Sequence, residues 1–577
     1  MKNLNKFLAV VLCLLLLCSC ANKAENNDNK ITEPGETTVT TIPNTPMHTV
    51  LLGDEVTTLP EDTSVEETEA SSVTEEEATT QTEEALVTSV TEETQVSSEI
   101  SEEVTSIQTQ ESVVTNENGE IVDKYDPIVF ETEDTIELYE KFGISQEERS
   151  AYYQAISEEC KMPILHISTI DTKSVSSKNT TESIVEIFNC EEAYKLSAST
   201  AFVKITSGVQ SNAVTENGGK PYSIEFVNRQ TILGLNESAR CQSWQLLYAH
   251  GGVKDNLAFN IAKVVGNGKY SSDSKYVQLY INEEYIGCYL VCEAPGANPN
   301  RIDITTPEND YAGTDIGYLV ELNQTAKSDK NSFALIYNRV SITDVYNETK
   351  VPEKQYFSVR SPLNNNEQLK YIERYLEVCY EIPMRAIKEG KFYRLEEDLT
   401  LTLAQEEFAS AEECISQVLD IESFVDAYIL NEIVNNYNVG AEGFCMAVDF
   451  GSMSKYKKLT CVSPWNFSFG YADFANDEGH GLNAARFKSE SFTNKYGNST
   501  NTWFILLYST DWFRSQVRHR WQEVYDDVLA TVIAEREVLA SNISDFNKGA
   551  SLTSSANSTI DWTVERIEYL NSLWGLR

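Results

Sequence analysis

Tyr276-Val277-Gln278-Leu279-Tyr280-Ile281-Asn282-Glu283-Glu284-Tyr285-Ile286-Gly287-Cys288-Tyr289-Leu290-Val291-Cys292-Glu293 is the stretch from which the fold is read. Residues 276–281 and 285–292 are two short runs rich in Tyr, Val, Leu and Ile, parted by a polar turn, and such runs read as strands. Runs of the same kind lie upstream at 163–170, 183–188, 201–206 and 222–227, and another lies downstream at 317–322. A helix-like period covers 134–160. From 367 onward helical periods dominate, at 367–388, 396–419, 421–436, 511–541 and 561–573. Strands first and helices later predict an α+β fold, with a mainly β N-terminal half, a mainly α C-terminal half and a cleft between two lobes.

The chain before this part has another character. Of the formal net charge of −44 over 577 residues, −22 falls on residues 21–125, which hold 25 acids and three lysines. Glutamate pairs recur at 66–67, 75–76, 83–84, 92–93 and 102–103, and no aromatic residue occurs between 21 and 120, so nothing there can nucleate a core. Residues 21–125 are expected to be a disordered acidic Thr/Ser/Glu-rich stalk, spanning roughly 55–60 Å as a flexible coil. Residues 1–20 combine Lys2 and Lys6 with the apolar run 7–17, too short for a permanent span and suited to a signal peptide. They end in Leu17-Cys18-Ser19-Cys20, which resembles the lipobox of bacterial lipoproteins. That resemblance implies lipidation of Cys20 and a membrane partner through the lipid anchor. The expected location is extracytoplasmic, on the outer face of the bacterial cytoplasmic membrane. Nucleic acid is excluded as a partner, because binding it without sequence preference needs a basic surface.

Nine cysteines follow Cys20, from Cys160 to Cys461, and none forms a CxxC pair. With five histidines and no HExxH, neither a zinc site nor a disulfide framework is indicated. Most of these cysteines read as small buried apolar residues. The GxxxxGK[ST], GxGxxG and GxSxG motifs are absent. Gly218-Gly219-Lys220 precedes Pro221 and cannot open a P-loop helix, and His250-Gly251-Gly252 has no nucleophile elbow to serve.

Four segments resemble, in order, the CotH family, the spore coat protein H kinases. Lys220-Pro221-Tyr222-Ser223-Ile224-Glu225-Phe226, with Leu233-Gly234-Leu235 and Trp244-Gln245-Leu246-Leu247 after it, is similar to the family's "KKPYRIKF…LLGL…WVLL". Asn256-Leu257-Ala258-Phe259-Asn260-Ile261-Ala262 is similar to "RNKLAYDIA". The opening stretch resembles "YVDLYLNGEYWGVYLLTE", continued by Gly317-Tyr318-Leu319-Val320-Glu321-Leu322 as "GGYLLELD". Phe424-Val425-Asp426-Ala427-Tyr428-Ile429-Leu430-Asn431-Glu432 looks like "FVDYYLLNEL", and Pro464-Trp465-Asn466-Phe467 stands where "PWDFD" is expected. The match covers about 201–529, inside a domain expected at 126–577.

The resemblance implies a divergent two-lobed protein-kinase-like fold that transfers the γ-phosphate of ATP to Ser or Thr of secreted or coat proteins. Such chemistry needs a cation on the phosphates, Mg²⁺ held by carboxylate and amide, and a carboxylate that receives the hydroxyl proton. Lys220 and Lys254 are the nucleotide-binding lysines it implies, with Glu293 or Glu321 orienting one of them. Lys254 stands where the family has arginine and lacks its fork. Ahead of it the family's Asp-containing loop is shortened to Ala249-His250-Gly251-Gly252. The proton-accepting Asp position is Asn438, which cannot take a proton at neutral pH. The metal-amide position is Gly443, and the metal carboxylate is Asn466. Asp473 or Asp449 stand as substitute metal ligands, and Glu442 as a substitute base. ATP and Mg²⁺ are the implied cofactors, bound weakly or lost. Three readings follow: a cell-surface lipoprotein whose kinase-like domain is degenerate and scaffolds secreted or envelope proteins, an active atypical secreted Ser/Thr kinase, or an envelope- or carbohydrate-binding protein without nucleotide chemistry.

Overall fold

The computed structural model describes residues 133–206, 219–266, 271–298, 301–337, 340–452, 454–467, 469–471, 481–541 and 550–575, together with short strands at Val114–Thr115, Ile121–Asp123 and Asp126–Val129. Ser106–Arg577 forms one compact unit. The signal peptide, Cys20 and nearly all of the stalk lie outside the described residues. Among the described residues no helix is long and apolar enough to cross a membrane.

Seven strands close into a barrel: β1 (Ile164–Thr169), β2 (Thr181–Phe188), β3 (Leu196–Ile205), β4 (Tyr222–Gln230), β5 (Cys241–Tyr248), β6 (Ser274–Ile281) and β7 (Glu284–Cys292). Their order around the barrel is β7-β5-β4-β3-β2-β1-β6, and only the β1–β6 pair is parallel. Closure leaves no strand edge open. Period-two alternation fills the interior with Leu165, Val185, Val203, Ile224, Phe226, Trp244, Val277, Leu279 and Tyr289. The β6–β7 hairpin turns on Asn282 and Glu283, both with positive φ, as a two-residue turn between twisted strands requires. Its other face carries Tyr276, Cys288, Leu290 and Cys292 and is covered as well. Burial on both faces is why this stretch reads as nearly continuous apolar sequence.

Two helices precede the barrel, α1 (Thr135–Phe142) and α2 (Gln146–Glu158). The single helical period over 134–160 is broken at Gly143, whose φ of 66° ends α1 in the left-handed conformation, and Ser145 caps α2. Tyr139 and Tyr153 both donate to the buried Glu186 of β2, and Arg149 donates to Ser168 of β1. These contacts pack α1 and α2 against the barrel wall.

Helix α3 (Ala249–Val265) follows β5 and packs on β7, β5 and β6. Ala249-His250-Gly251-Gly252, expected as a loop, is its first turn. Next comes a five-stranded antiparallel sheet made of β8 (Gly317–Leu322), β9 (Ser332–Leu335), β10 (Gln355–Val359), β11 (Phe444–Asp449) and β12 (Thr460–Val462), in the order β9-β10-β8-β11-β12. Helix α4 (Asn366–Glu389) opens on an Asn365/Gln368 capping box. The helix expected over 396–419 is a hairpin, Tyr393–Leu395 with Leu401–Leu403, followed by the short α5 (Ala411–Ser416). Helices α6 (Ile421–Ile433), α7 (Glu490–Tyr496), α8 (Thr502–Tyr508), α9 (Asp511–Ser541) and α10 (Ala550–Trp574) complete the C-terminal part. The α+β class and the succession from β-rich to helix-rich are as read from the sequence. One hydrophobic core runs from the outer face of β6–β7 through α3 into α6, α8, α9 and α10.

Candidate functional site

The centre of the site is the loop 434–443 between α6 and β11. Its shape is set by amides. Asn436 donates its Nδ2 to Asn431 Oδ1 at 3.0 Å, and its own Oδ1 accepts from the Asn438 backbone N–H at 3.0 Å. The Asn438 carbonyl then accepts from Ala441 and Glu442 N–H. Asn438 is thus a buried turn former, 2 % exposed, and its Nδ2 has no hydrogen-bond partner. At the end of the loop the Gly443 N–H donates to Glu321 Oε1 at 3.0 Å. Gly443 has φ 80°, and a Cβ placed on it would lie 2.0 Å from the Trp465 carbonyl oxygen. No side chain fits there while residue 465 keeps its place.

Residues 465–467 and 469–471 close over this loop and are tied at four points. Asn466 Nδ2 donates to Glu442 Oε2 at 3.0 Å. The Phe467 N–H donates to Asp255 Oδ1 at 3.1 Å, and Lys254 Nζ donates to the Gly470 carbonyl at 3.0 Å. The Tyr471 N–H donates to Val434 O at 2.6 Å. Adjacent residues at the start of α3, Lys254 and Asp255, therefore hold the strap from one side while Glu442 holds it from the other.

The residues named from the sequence separate into groups. Lys254, Glu321, Gly443 and Asn466, with Asn438 in the adjoining loop, fall into this one set of contacts. Glu293, at the end of β7, meets Asn236 at 3.2 Å and Arg301 at 3.6 Å. Lys220 is exposed just before β4, where its carbonyl accepts from the Tyr289 hydroxyl at 3.0 Å. Asp449 is consumed in fixing the chain, accepting from Thr305 N and Oγ1 and from Gly451 N. Asp473 and Cys20 lie outside the described residues. Sequence reading missed Asp255 and Arg360. Asp255 sits next to Lys254 in α3, between the segment 249–252 that matches a family loop and the matched run 256–262. Arg360, whose Nε donates to Glu321 Oε2 at 2.6 Å, falls outside every matched motif.

The family model for CotH kinase protein matches residues 220–551, more than half the chain. The chain belongs to the CotH kinase family. No curated protein matches it. ATP and metal chemistry is what membership of the CotH family suggests in general, so the donor set can be tested against Mg²⁺. Among the described residues no three His, Cys, Asp or Glu side chains converge. Asn466 turns its NH₂ toward a carboxylate, Gly443 offers no donor, and Asp449 is already saturated by N–H and O–H groups. Mg²⁺ asks for carboxylate oxygens in near-octahedral array, and these residues do not supply them. The cavity beside Gly443, lined by Leu430, Asn431, Cys445, Ser463, Trp465 and Phe467, measures about 50 Å³. Ordinary ligand pockets begin near about 300 Å³.

Two buried carboxyls in the CotH domain carry a pH signature. Burial pushes Asp255 up to about 7, offset in part by the Phe467 N–H and Lys254. Burial likewise pushes Glu535 of α9 up to about 7, against the amides of Asn256 and Asn260. A raised carboxyl pKa means that the native state holds the proton more tightly than the unfolded chain. The stability these groups contribute is complete below about pH 4 and is lost as pH rises through about 7. The double variant Asp255→Asn/Glu535→Gln is expected to lose less melting temperature than wild type from about pH 5 to 8. Parallel curves for the two proteins would contradict this.

Proposed function

We propose that this CotH kinase family protein is a cell-surface lipoprotein. Its two-lobed, kinase-like domain scaffolds secreted or envelope proteins and does not transfer phosphate. The observation that carries the reading is Gly443. The position that would offer an amide to a metal has no side chain, and the Trp465 carbonyl takes the space that any side chain needs. Asn438 and Asn466 point the same way. An amide at the base position cannot accept the hydroxyl proton, and loss of such a carboxylate typically removes about 10²–10⁴ in rate. Glu442, the one carboxylate in the loop, is engaged by Asn466.

The test is transfer of radiolabelled γ-phosphate by the full-length protein, to itself or to a general acceptor, with Mg²⁺ or Mn²⁺. Incorporation at background is the expected result. Robust autophosphorylation that vanishes in Asn466→Ala would overturn the reading and favour an active atypical kinase.

A further inference from the structure

Two side-chain pairs flank Gly443 and Asn466, the positions at which the family resemblance implies a divalent cation: Arg360 with Glu321, and Asn466 with Glu442. Glu321 comes from near the end of β8, its side chain 4 % exposed, with Oε1 on the Gly443 N–H and Oε2 on Arg360. Glu442, one residue before Gly443, accepts from Asn466. Arg360 follows β10 and carries the positive charge. Burial works against its guanidinium, but Glu321, and beyond it Cys445 and Glu442, hold it above the ordinary arginine range. A carboxylate only accepts, so the Asn466 amide must present NH₂ rather than oxygen to Glu442. A metal would demand the opposite orientation, with the amide oxygen turned toward the ion.

We infer that Arg360 and the Asn466 amide together take the place of the divalent cation, joining Glu321, Glu442 and the loops 438–443 and 465–467 into a site held closed without metal. The inference rests on the non-catalytic reading above, yet its readout is stability rather than phosphate transfer. Arg360 supplies a full charge to the buried Glu321, and Asn466 supplies a directed N–H to Glu442. Between them they satisfy the two acceptors that a bridging metal would otherwise satisfy.

Melting of the full-length protein in EDTA and in millimolar Mn²⁺, without nucleotide, tests this. Wild type is expected to melt within about 1 °C in the two conditions, as a site that binds no metal must. Arg360→Gln leaves Glu321 without its countercharge; with the Arg360 side chain 37 % exposed, solvent screens part of the loss, and the variant is expected to melt about 2–3 °C lower in EDTA, with Mn²⁺ recovering at least half of it. Arg360→Lys, which keeps the charge, loses less. Asn466→Asp sets one carboxylate against another, so it too should fall in EDTA and rise with Mn²⁺. Wild type stabilised by several degrees in Mn²⁺ would overturn the inference, as would Asn466→Asp melting like wild type in EDTA. If Arg360→Gln does not fold, those two arms decide the matter without it. Phosphate transfer by the wild type would remove the non-catalytic reading and leave the melting arms intact. Metal-dependent melting would remove this inference and leave that reading standing.

Discussion

Arg566→Ala is expected to destabilise the protein by about 3–5 kcal/mol, because it strands a buried charge. Arg566 on α10 and Glu432 near the end of α6 are both fully buried, 0 % exposed on each side. The guanidinium donates Nη2 to Glu432 Oε2 at 2.9 Å, Nε to the Glu432 carbonyl at 2.8 Å and Nη1 to the Gly481 carbonyl at 3.2 Å. The Glu432 carboxylate also accepts the backbone N–H groups of Asn483 and Ala484. One ion pair therefore fixes α10, the end of α6 and the chain around 481–484, just ahead of the loop that forms the candidate site. Lysine at 566 should not restore it, because the three acceptors match a planar fork and not a point charge. Replacing both partners by apolar residues should cost less than the sum of the single changes, since the alanine penalty is chiefly that of an unpaired buried carboxylate. Chemical denaturation followed by tryptophan fluorescence measures this. An Arg566→Ala variant within about 1 kcal/mol of wild type would show that the pair is not holding these elements.

Gly443→Ala is the second large effect, expected to cost about 3 kcal/mol or more. Two causes add. Its φ of 80° lies in the region that L-residues avoid, and the new methyl would sit 2.0 Å from a backbone oxygen. A flexible side chain could swing aside, but the Trp465 carbonyl cannot move without breaking the ties of Asn466 to Glu442 and of Phe467 to Asp255. Asparagine at 443, which would supply the amide that the family resemblance implies there, meets the same obstacle and should give no phosphate transfer, even with Asn438→Asp and Asn466→Asp added. A melting temperature of Gly443→Ala within about 2 °C of wild type would show that residue 465 yields easily.

The site was legible in the sequence to the extent that motifs carry position. Glu321, Asn438, Gly443 and Asn466 were found by their place in matched segments, and the structure brings them into one neighbourhood. Lys220 and Glu293 were found by the same route and take up contacts elsewhere. Motif order does not say which strand ends face each other. Arg360 carried no signal, because an arginine after a short strand is ordinary sequence. Its role depends on β10 lying beside β8, which sets Ser358 opposite Glu321. Asp255 carried no signal, because it lies between the family-loop match at 249–252 and the matched run 256–262; in the fold, 249–265 form one helix packed on the barrel.

Local sequence by itself determined the elements whose signal is periodic: the strands around 164–169, 181–188, 222–230, 274–281 and 284–292, the long helices α4 and α9, and the order of β-rich before helix-rich. It also determined the side-chain chemistry available at Asn438, Gly443 and Asn466, since that follows from residue identity. Tertiary structure alone decided that the strands close into a barrel, because closure needs the parallel pairing of β1 with β6, residues more than a hundred positions apart with no local code for each other. It alone decided that 396–419 is a hairpin and a short helix, where partners outweigh propensity. And it alone decided that the Trp465 carbonyl fills the space above Gly443 while Arg360 lies against Glu321. Both are consequences of distant backbones brought within van der Waals reach.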